Sequence, residues 1–146
     1  MHLSQQEINN LDVRVQYEGG VLFEADARGH RVLSDQPLGN GGTDRGMTPP
    51  EFLLTALATC AGYYAVEYLN TRKLPAEGLD VRVTAEKAKE PARLGSFSIQ
   101  VSVPGLTGRH LEGVDRAVKA CLIHNTLLHP PKIETVVTGS LLALAA

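Results

Sequence analysis

The feature of this sequence that most limits its possible folds is a run of fifteen residues without a charge, from Phe52 to Val66. Thr48 suits an N-cap and the prolines after it suit a first turn, so the run predicts a helix from Thr48 to about Arg72. Fifteen helical residues span about 22 Å, which is too short to cross a bilayer. A helix that is apolar on every side must be buried on every side, and one small sheet cannot cover it all. We therefore expect a homodimer, in which a second subunit covers the remaining face.

Strand patterns stand on both sides of this run. Three short segments before it, separated by Gly19-Gly20 and Arg28-Gly29, predict an antiparallel meander, and a long glycine-rich loop from 35 to 48 follows them. After the run, the pattern predicts a two-stranded hairpin, an amphipathic helix, a short helical turn and a last strand. Strands grouped apart from helices indicate an α+β fold in a single domain of residues 1–146, of which about the first ten form a flexible segment. In chain order the predicted segments are residues 11–17, 21–26, 30–34, 79–85, 97–103, 110–121, 125–129 and 133–138.

Composition narrows the class of protein. The net charge is −2 and no run of lysine or arginine reaches five residues, which argues against nucleic-acid binding. The polar N-terminus lacks the basic and apolar stretches of a signal peptide, so we expect a cytoplasmic protein that is not bound to a membrane. Thiols are kept reduced in the cytoplasm, so two cysteines there are redox-active or simply buried rather than joined in a permanent disulfide.

The two cysteines allow two interpretations. Cys60 lies within the uncharged run and Cys121 ends the apolar stripe of the amphipathic helix. Both are small side chains that suit a core, and free cysteine is among the most buried residue types; alternatively, both are redox-active. A metal site is disfavoured because 61 residues separate the cysteines, and His124 and His129 lie near only one of them. We expect no metal and no cofactor.

Reactivity at Cys60 would require a nearby cation. The thiolate is the nucleophile, apolar burial disfavours it, and the middle of a helix is too far from the N-terminus to benefit from the backbone dipole. The cations that a loop or strand could bring over this helix are Arg28, Arg31 and Arg45. His124 could act as a general acid, although a histidine after a helical cysteine is more often a hydrogen-bonded structural residue.

Two motifs resemble those of a known family. Residues 48–60, Thr-Pro-Pro-Glu-Phe-Leu-Leu-Thr-Ala-Leu-Ala-Thr-Cys, are similar to the start of the central helix in OsmC/Ohr proteins. Residues 118–127, Val-Lys-Ala-Cys-Leu-Ile-His-Asn-Thr-Leu, are similar to the segment around their second cysteine. The loop from Gly39 to Gly46 also fits, and the resemblance runs from Val13 to Gly139. It implies an OsmC-like α+β fold, in which antiparallel sheets wrap around long central buried helices in an intertwined homodimer, with active sites at the subunit interface.

The resemblance also implies a chemistry. Family members of known activity reduce organic hydroperoxides or hydrogen peroxide, which makes Cys60 the peroxidatic cysteine and Cys121 the resolving partner in a disulfide that a dithiol reduces. An arginine and a glutamate support the thiolate in the well-studied branches. Here a second proline follows the motif proline and Glu51 comes one residue later, so the chain is closer to the Pro-x-Glu branch. We expect Arg45 to support Cys60, ahead of the two arginines on the early strands, and Glu51 to orient that arginine.

Two other functions remain open from the sequence. A stress-associated protein with the same fold could keep both cysteines buried and unreactive. An interface pocket could instead bind a small apolar ligand, with Tyr63, Tyr64 and Tyr68 as lining residues, although tyrosines at helical spacing are more often part of a core.

Overall fold

The structure, a computed structural model, describes residues 11–139, so the flexible segment expected over the first ten residues lies outside the described part. The described chain forms two compact units. The first runs up to Thr59 and includes Asp80–Ser102, and the second comprises Cys60–Leu79 and the chain from Val103 onward. The elements in order are β1 (Arg14–Tyr17), β2 (Phe23–Ala27), β3 (His30–Ser34), α1 (Pro49–Thr71), β4 (Asp80–Ala88), β5 (Arg93–Ser102), α2 (Arg109–Lys119) and α3 (Leu122–Leu128).

The first three strands form the expected antiparallel meander, in the order β1-β2-β3. Arg28 and Gly29 make the two-residue turn between β2 and β3, with φ angles of 56° and 86°. Positive φ at both central residues is the signature of a type I′ turn, whose twist matches that of the flanking strands. The Gly29 N–H donates to Asp26 Oδ1 at 3.2 Å and closes the turn.

One face of this meander is apolar, and no other part of the described chain covers it. Val13, Val15 and Val32 are 62%, 55% and 50% exposed, and Phe23 is also exposed. With Pro49 and other residues of the same unit, these side chains line an open groove of about 570 Å³. The expectation that β1 would be half-buried is therefore wrong within a single chain, because every residue of β1 is exposed.

Helix α1 confirms the central prediction of the sequence but is longer than the uncharged run. Its 23 residues rise about 34 Å. The argument that the run is too short to cross a bilayer is thus wrong for the whole helix, which has the length and composition of a membrane span. The core helix of a soluble protein can have the same length and composition. Burial on every side is not reached within one chain. The fully buried positions form one stripe at intervals of four residues: Leu57, Ala61, Ala65 and Leu69.

The second half of the chain departs from the prediction at three points. Strands β4 and β5 pair as the expected antiparallel hairpin but extend further toward its loop, with a register shift at Glu86/Lys87. Helix α2 ends at Lys119, so Cys121 does not belong to it, and α3 is a seven-residue helix rather than a single turn. The predicted last strand over 133–138 is wrong, because that segment pairs with no strand in the described chain and its apolar side chains are more than 80% exposed.

The glycine-rich loop is organised around one buried carboxylate. Asp35 is 2% exposed and accepts hydrogen bonds from the Gln36 N–H at 2.8 Å, the Thr43 hydroxyl at 2.8 Å and N–H at 3.3 Å, and the Arg45 N–H at 3.1 Å. Burial would raise the pKa of Asp35, but these donors outweigh burial and the pKa is lowered. One carboxylate thus fixes the backbone on both sides of the loop.

Two glycines allow the loop backbone to close on itself. A Cβ on Gly42 would overlap the Gln36 carbonyl, and one on Gly46 would overlap the Leu33 carbonyl. The two ends of the loop meet where the Asp35 N–H donates to the Met47 carbonyl at 3.4 Å. The loop is therefore a compact Ω-type loop in which glycine is required by close backbone approach.

The Asp35 network predicts a stability that depends on pH. We expect Asp35→Asn to lower the melting temperature at pH 7 by several degrees, because an amide presents one acceptor oxygen and two donors to a ring of N–H groups. The folded pKa lies below the unfolded value of about 3.9, so the contribution is complete above the unfolded pKa and is lost as the pH falls through the folded pKa. Thermal unfolding at pH 7 and near pH 3 should show the difference between wild type and variant shrinking in acid.

Asp44→Asn is the matched control, because Asp44 is exposed in the same loop and its carboxylate makes no hydrogen bond among the described residues. An equal loss of melting temperature in Asp44→Asn and Asp35→Asn at pH 7 would contradict the assigned role of Asp35.

Candidate functional site

The structure brings the two cysteines together within the second unit. Cys60 lies on α1 and is partly buried, whereas Cys121 is completely buried, and both are free thiols. The two side chains are neighbours, since the Cys60 thiol raises the pKa of Cys121. Loss of the proton from Cys60 therefore raises the pKa of Cys121.

Cys121 is held at the junction of two helices. The chain leaves the helical conformation there, with φ −58° and ψ 136°, and Cys121 occupies the N-cap position of α3. Its own N–H donates to the Val118 carbonyl at 3.1 Å, and its carbonyl accepts from the Asn125 N–H at 3.0 Å. Cys121 is thus fixed by backbone hydrogen bonds to both helices, which holds its side chain against Cys60.

The environment of Cys121 favours the protonated thiol. Burial is the largest cause that raises the pKa of Cys121, and the neighbouring Cys60 thiol raises it further. The backbone N–H groups of His124 and Ile123 oppose this by favouring the thiolate, but they do not compensate. The pKa of Cys121 is therefore above its ordinary value of 9.0, and this group remains a thiol at neutral pH.

His124 is not the hydrogen-bonded structural histidine that its position suggested. Its Nδ1 atom is buried and has no hydrogen-bond partner in the part of the chain that the structure describes. A buried polar atom without a partner costs free energy on the order of 1–3 kcal/mol. This nitrogen, three residues after Cys121, thus has an unused hydrogen-bonding capacity.

Glu51 forms a helix cap. Its Oε1 accepts from the Thr48 N–H at 3.0 Å and from the Thr48 hydroxyl at 2.7 Å. These two bonds, the N–H first, hold the pKa of the Glu51 carboxyl below its usual range. In an ideal helix Glu51 lies about 14 Å along the axis from Cys60 and on the opposite face. The signal for this role was present in the sequence, since Thr-x-x-Glu at a helix start is the capping-box pattern.

The three candidate arginines differ in their partners. All three lie in the first unit. Arg31 pairs with Asp26 at 3.2 Å and with Glu24 at 3.8 Å, whereas Arg28 occupies the tip of the β2–β3 turn. The Arg45 backbone is fixed by Asp35, and its exposed side chain makes no ion pair within residues 11–139.

The remaining sequence candidates do not converge. Among the described residues no cluster of three histidine, cysteine, aspartate or glutamate side chains has the arrangement of a metal site. Tyr63 and Tyr64 meet edge to face at 5.6 Å between ring centroids. Tyr68 instead contacts His110 and lines a separate pocket with three arginines. No sequence pattern indicated that pocket, because its residues come from two segments separated by about forty positions.

Comparison with solved structures shows which fold this is. A crystal structure of a putative osmotic stress induced and detoxification response protein from Psychrobacter arcticus superposes with a TM-score of 0.73 at 20% identity, covering 78% of this chain and 85% of that chain. An OsmC-like protein from Mycoplasma pneumoniae gives 0.71 at 19% identity, covering 82% and 87%. An organic hydroperoxide resistance protein OsmC from Legionella pneumophila gives 0.58 at 17% identity, covering 81% and 88%.

These identities establish a shared fold and do not transfer an activity. Comparison with curated proteins finds no match. The family model described as OsmC-like protein matches residues 41–136, which include the second half of the glycine-rich loop, α1 and both cysteines. With the fold and this match in agreement, the chain belongs to the family of OsmC-like proteins.

Proposed function

We propose that this protein is a thiol-dependent peroxidase that reduces organic hydroperoxides or hydrogen peroxide. The observation that carries the proposal is that the two cysteines of the chain, Cys60 and Cys121, are free thiols whose side chains lie beside each other. The name of the Legionella relative, an organic hydroperoxide resistance protein, points to the same substrate class.

In the first step the Cys60 thiolate attacks one oxygen of the peroxide. The O–O bond breaks, the Cys60 sulfur is oxidised to a sulfenic acid, and the other oxygen leaves as an alkoxide or hydroxide that takes up a proton. Cys60 suits this role because it is partly exposed, whereas Cys121 is fully buried. A group that meets substrate first must be accessible.

In the second step the Cys121 sulfur attacks the Cys60 sulfur. A disulfide forms, and the sulfenic oxygen leaves as water after taking up the Cys121 proton. The position of the two thiols beside each other supports this step, because a disulfide needs its two cysteines to be neighbours. An external dithiol then reduces the disulfide by thiol–disulfide exchange and is itself oxidised.

The proposal includes a homodimer, because three apolar surfaces are left uncovered by residues 11–139. The first is the exposed face of the β1–β3 meander, the second is the part of α1 outside its buried stripe, where Tyr63 is 62% exposed, and the third is the extended segment after α3. Such surfaces on one small protein exceed what a soluble monomer ordinarily leaves in water. A second copy of the chain is the occupant that offers matching apolar surface to all three.

A second candidate is a protein of the same fold without peroxidase activity. The observation that favours it is the use of Glu51 as a helix cap, which engages one of its oxygens away from any arginine. The activity measurements below separate the two candidates.

Cysteine substitutions test the proposed mechanism. Cys60→Ser should reduce dithiothreitol-dependent consumption of an alkyl hydroperoxide to the rate of free dithiothreitol, because the nucleophile is removed. Without dithiol, Cys121→Ser should consume one peroxide per chain and stop as a sulfenic acid or a higher oxidation product, whereas wild type should end as an intrachain disulfide. Mass spectrometry and non-reducing gels identify these products.

Two outcomes would contradict this mechanism. One is wild-type protein that consumes neither an alkyl hydroperoxide nor hydrogen peroxide faster than dithiothreitol alone, which would favour the non-enzymatic candidate. The other is oxidised wild type that migrates as a disulfide-linked dimer, since the proposed disulfide lies within one chain.

Arginine substitutions test which cation supports the thiolate. We expect Arg45→Gln to lower kcat/KM by about ten- to a hundredfold, because a charge-assisted contact contributes about 1.5–3 kcal/mol. Activity should recover as the pH is raised, since the thiolate then forms without the cation. Arg31→Gln is the matched control, because Arg31 is already paired with Asp26. Glu51→Gln should have a milder effect, since an amide oxygen can still cap Thr48.

The pH–rate profile of each variant distinguishes the two causes of a lower rate. A loss of folded protein lowers the rate at every pH, whereas a loss of thiolate stabilisation changes the shape of the profile. Equal losses in Arg45→Gln and Arg31→Gln, with profiles of unchanged shape, would remove Arg45 from the proposed site.

The dimer is tested by light scattering and by a pair of substitutions on one strand. At about 10 µM the wild type should give twice the chain mass of 15.7 kDa. Val15→Lys should weaken the dimer, because Val15 lies on the apolar face of the meander. Gln16→Lys should leave it intact, since neighbouring residues of a strand point to opposite faces. A monomeric wild type at this concentration would refute the dimer.

A further inference from the structure

We propose that the second unit carries a binding site for a multivalent oxyanion, the phosphate or pyrophosphate group of a small molecule. The site, called here the arginine pocket, is an open cavity of about 490 Å³. It is independent of the thiol chemistry proposed above. It is lined by Tyr68, Arg72, Leu74, Arg109, His110 and Arg116.

The end of α1 brings one side of the pocket into place. The Leu74 N–H donates to the Leu69 carbonyl at 2.9 Å, and the Lys73 N–H donates to the Asn70 carbonyl at 3.1 Å. With Lys73 at φ 54°, this is a Schellman motif. The motif turns the chain sharply, so that Arg72 before the turn and Leu74 after it both line the pocket.

Tyr68 connects the two sides of the pocket. Its hydroxyl is hydrogen-bonded to His110 Nδ1 at 3.2 Å, which joins α1 to the first turn of α2. A Cβ on Gly113 would overlap the Tyr68 ring, so glycine at this position lets the ring lie against α2. The tyrosine therefore has a fixed position between the two helices.

Arg72 is held over this tyrosine. Its guanidinium carbon lies 3.7 Å from the Tyr68 ring centroid, and Nη1 donates to the Tyr68 carbonyl at 3.3 Å. Neither contact neutralises the charge, because an aromatic face and a carbonyl are uncharged partners. Arg72 is thus positioned in advance while its charge stays available to a ligand.

The charge of the pocket is uncompensated. Within residues 11–139 none of Arg72, Arg109 and Arg116 lies within ion-pair distance of a carboxylate. By contrast, Arg31 and Lys119 each have an acidic partner. Three guanidinium groups around one cavity repel one another, and a bound anion would remove that repulsion. Unpaired positive charges around one cavity are typical of an anion-binding site, whereas in a structural ion-pair network each arginine has a carboxylate partner.

The number and kind of donors select the ligand class. Guanidinium groups bind phosphate through two parallel N–H···O bonds, which a planar fork provides and an ammonium group does not. Three such groups match the two or more negative charges of a phosphate or pyrophosphate better than the single charge of one carboxylate. The cavity has the volume of a small-molecule site, and a chain with a net charge of −2 lacks the broad basic surface of a nucleic-acid protein.

The test is calorimetric titration of the full chain with inorganic pyrophosphate at low ionic strength. Wild type should show saturable binding of one anion per chain. Arg109→Gln and Arg116→Gln should each weaken the affinity about tenfold or more, and Arg109→Lys should restore part of it, since the charge returns without the fork. Arg82→Gln is the matched control, because it removes the same charge from an exposed position on β4 and should change the affinity less than twofold.

Three results would overturn the proposal. The first is no saturable binding of pyrophosphate by wild type at millimolar concentration. The second is an equal loss of affinity in Arg82→Gln and Arg109→Gln, which would reduce the effect to general charge screening. The third is a different order of affinities. Citrate bound as tightly as pyrophosphate would exclude phosphate recognition, and a short oligonucleotide bound much more tightly than pyrophosphate would indicate that nucleic acid is the partner.

Discussion

The covering of α1 is the physical constraint on which the rest of this structure depends. Its buried stripe is formed by Leu57, Ala61, Ala65 and Leu69, and the two alanines let neighbouring segments approach the helix axis closely. Burial of apolar area stabilises a folded protein by about 25 cal/mol per Å². The apolar faces of α1 that stay exposed therefore do not contribute to the free energy of unfolding, and the same holds for the apolar face of the meander. These exposed apolar faces are what the proposed second subunit would cover.

Much of the fold could be predicted from the sequence because its signals are local. Apolar periodicity and paired turn residues located the meander, the helix and the hairpin, and Thr48 marked where α1 begins. The last strand failed for a physical reason. Alternation over 133–138 shows that a segment could form a strand, but not which strand edge would receive it, and within the described chain the segment pairs with none. Likewise, the uncharged run shows how much of α1 must be buried, but it does not show how many chains take part in burying the helix.

The two cysteines were named before the structure, but the details of their surroundings were missed. The resemblance named Cys60 and Cys121, and the structure places the two side chains beside each other, while their roles stay a prediction. The sequence predicted separate helical segments over 110–121 and 125–129, but it misplaced the break, which puts Cys121 at a helix start and has no glycine or proline to mark it. Asp35 was overlooked because a loop carboxylate gives no sequence sign that four donors will surround it. Interactions between residues distant in sequence are what periodicity cannot report.

The two thiols have unequal surroundings, and in the proposed cycle that inequality orders the steps. Cys60 lies inside a regular helix, where backbone N–H groups are used within the helix, so a thiolate there needs a side-chain cation. Cys121 faces two free N–H groups, yet burial and the adjacent Cys60 raise its pKa. Burial is the largest cause that raises the pKa of Cys121, and a charge on Cys60 adds to it. Once peroxide has turned Cys60 into a neutral sulfenic acid, the contribution of that charge disappears and the pKa of Cys121 falls, although burial still raises it. In the proposed cycle, the reaction that creates the target of Cys121 therefore also favours its thiolate.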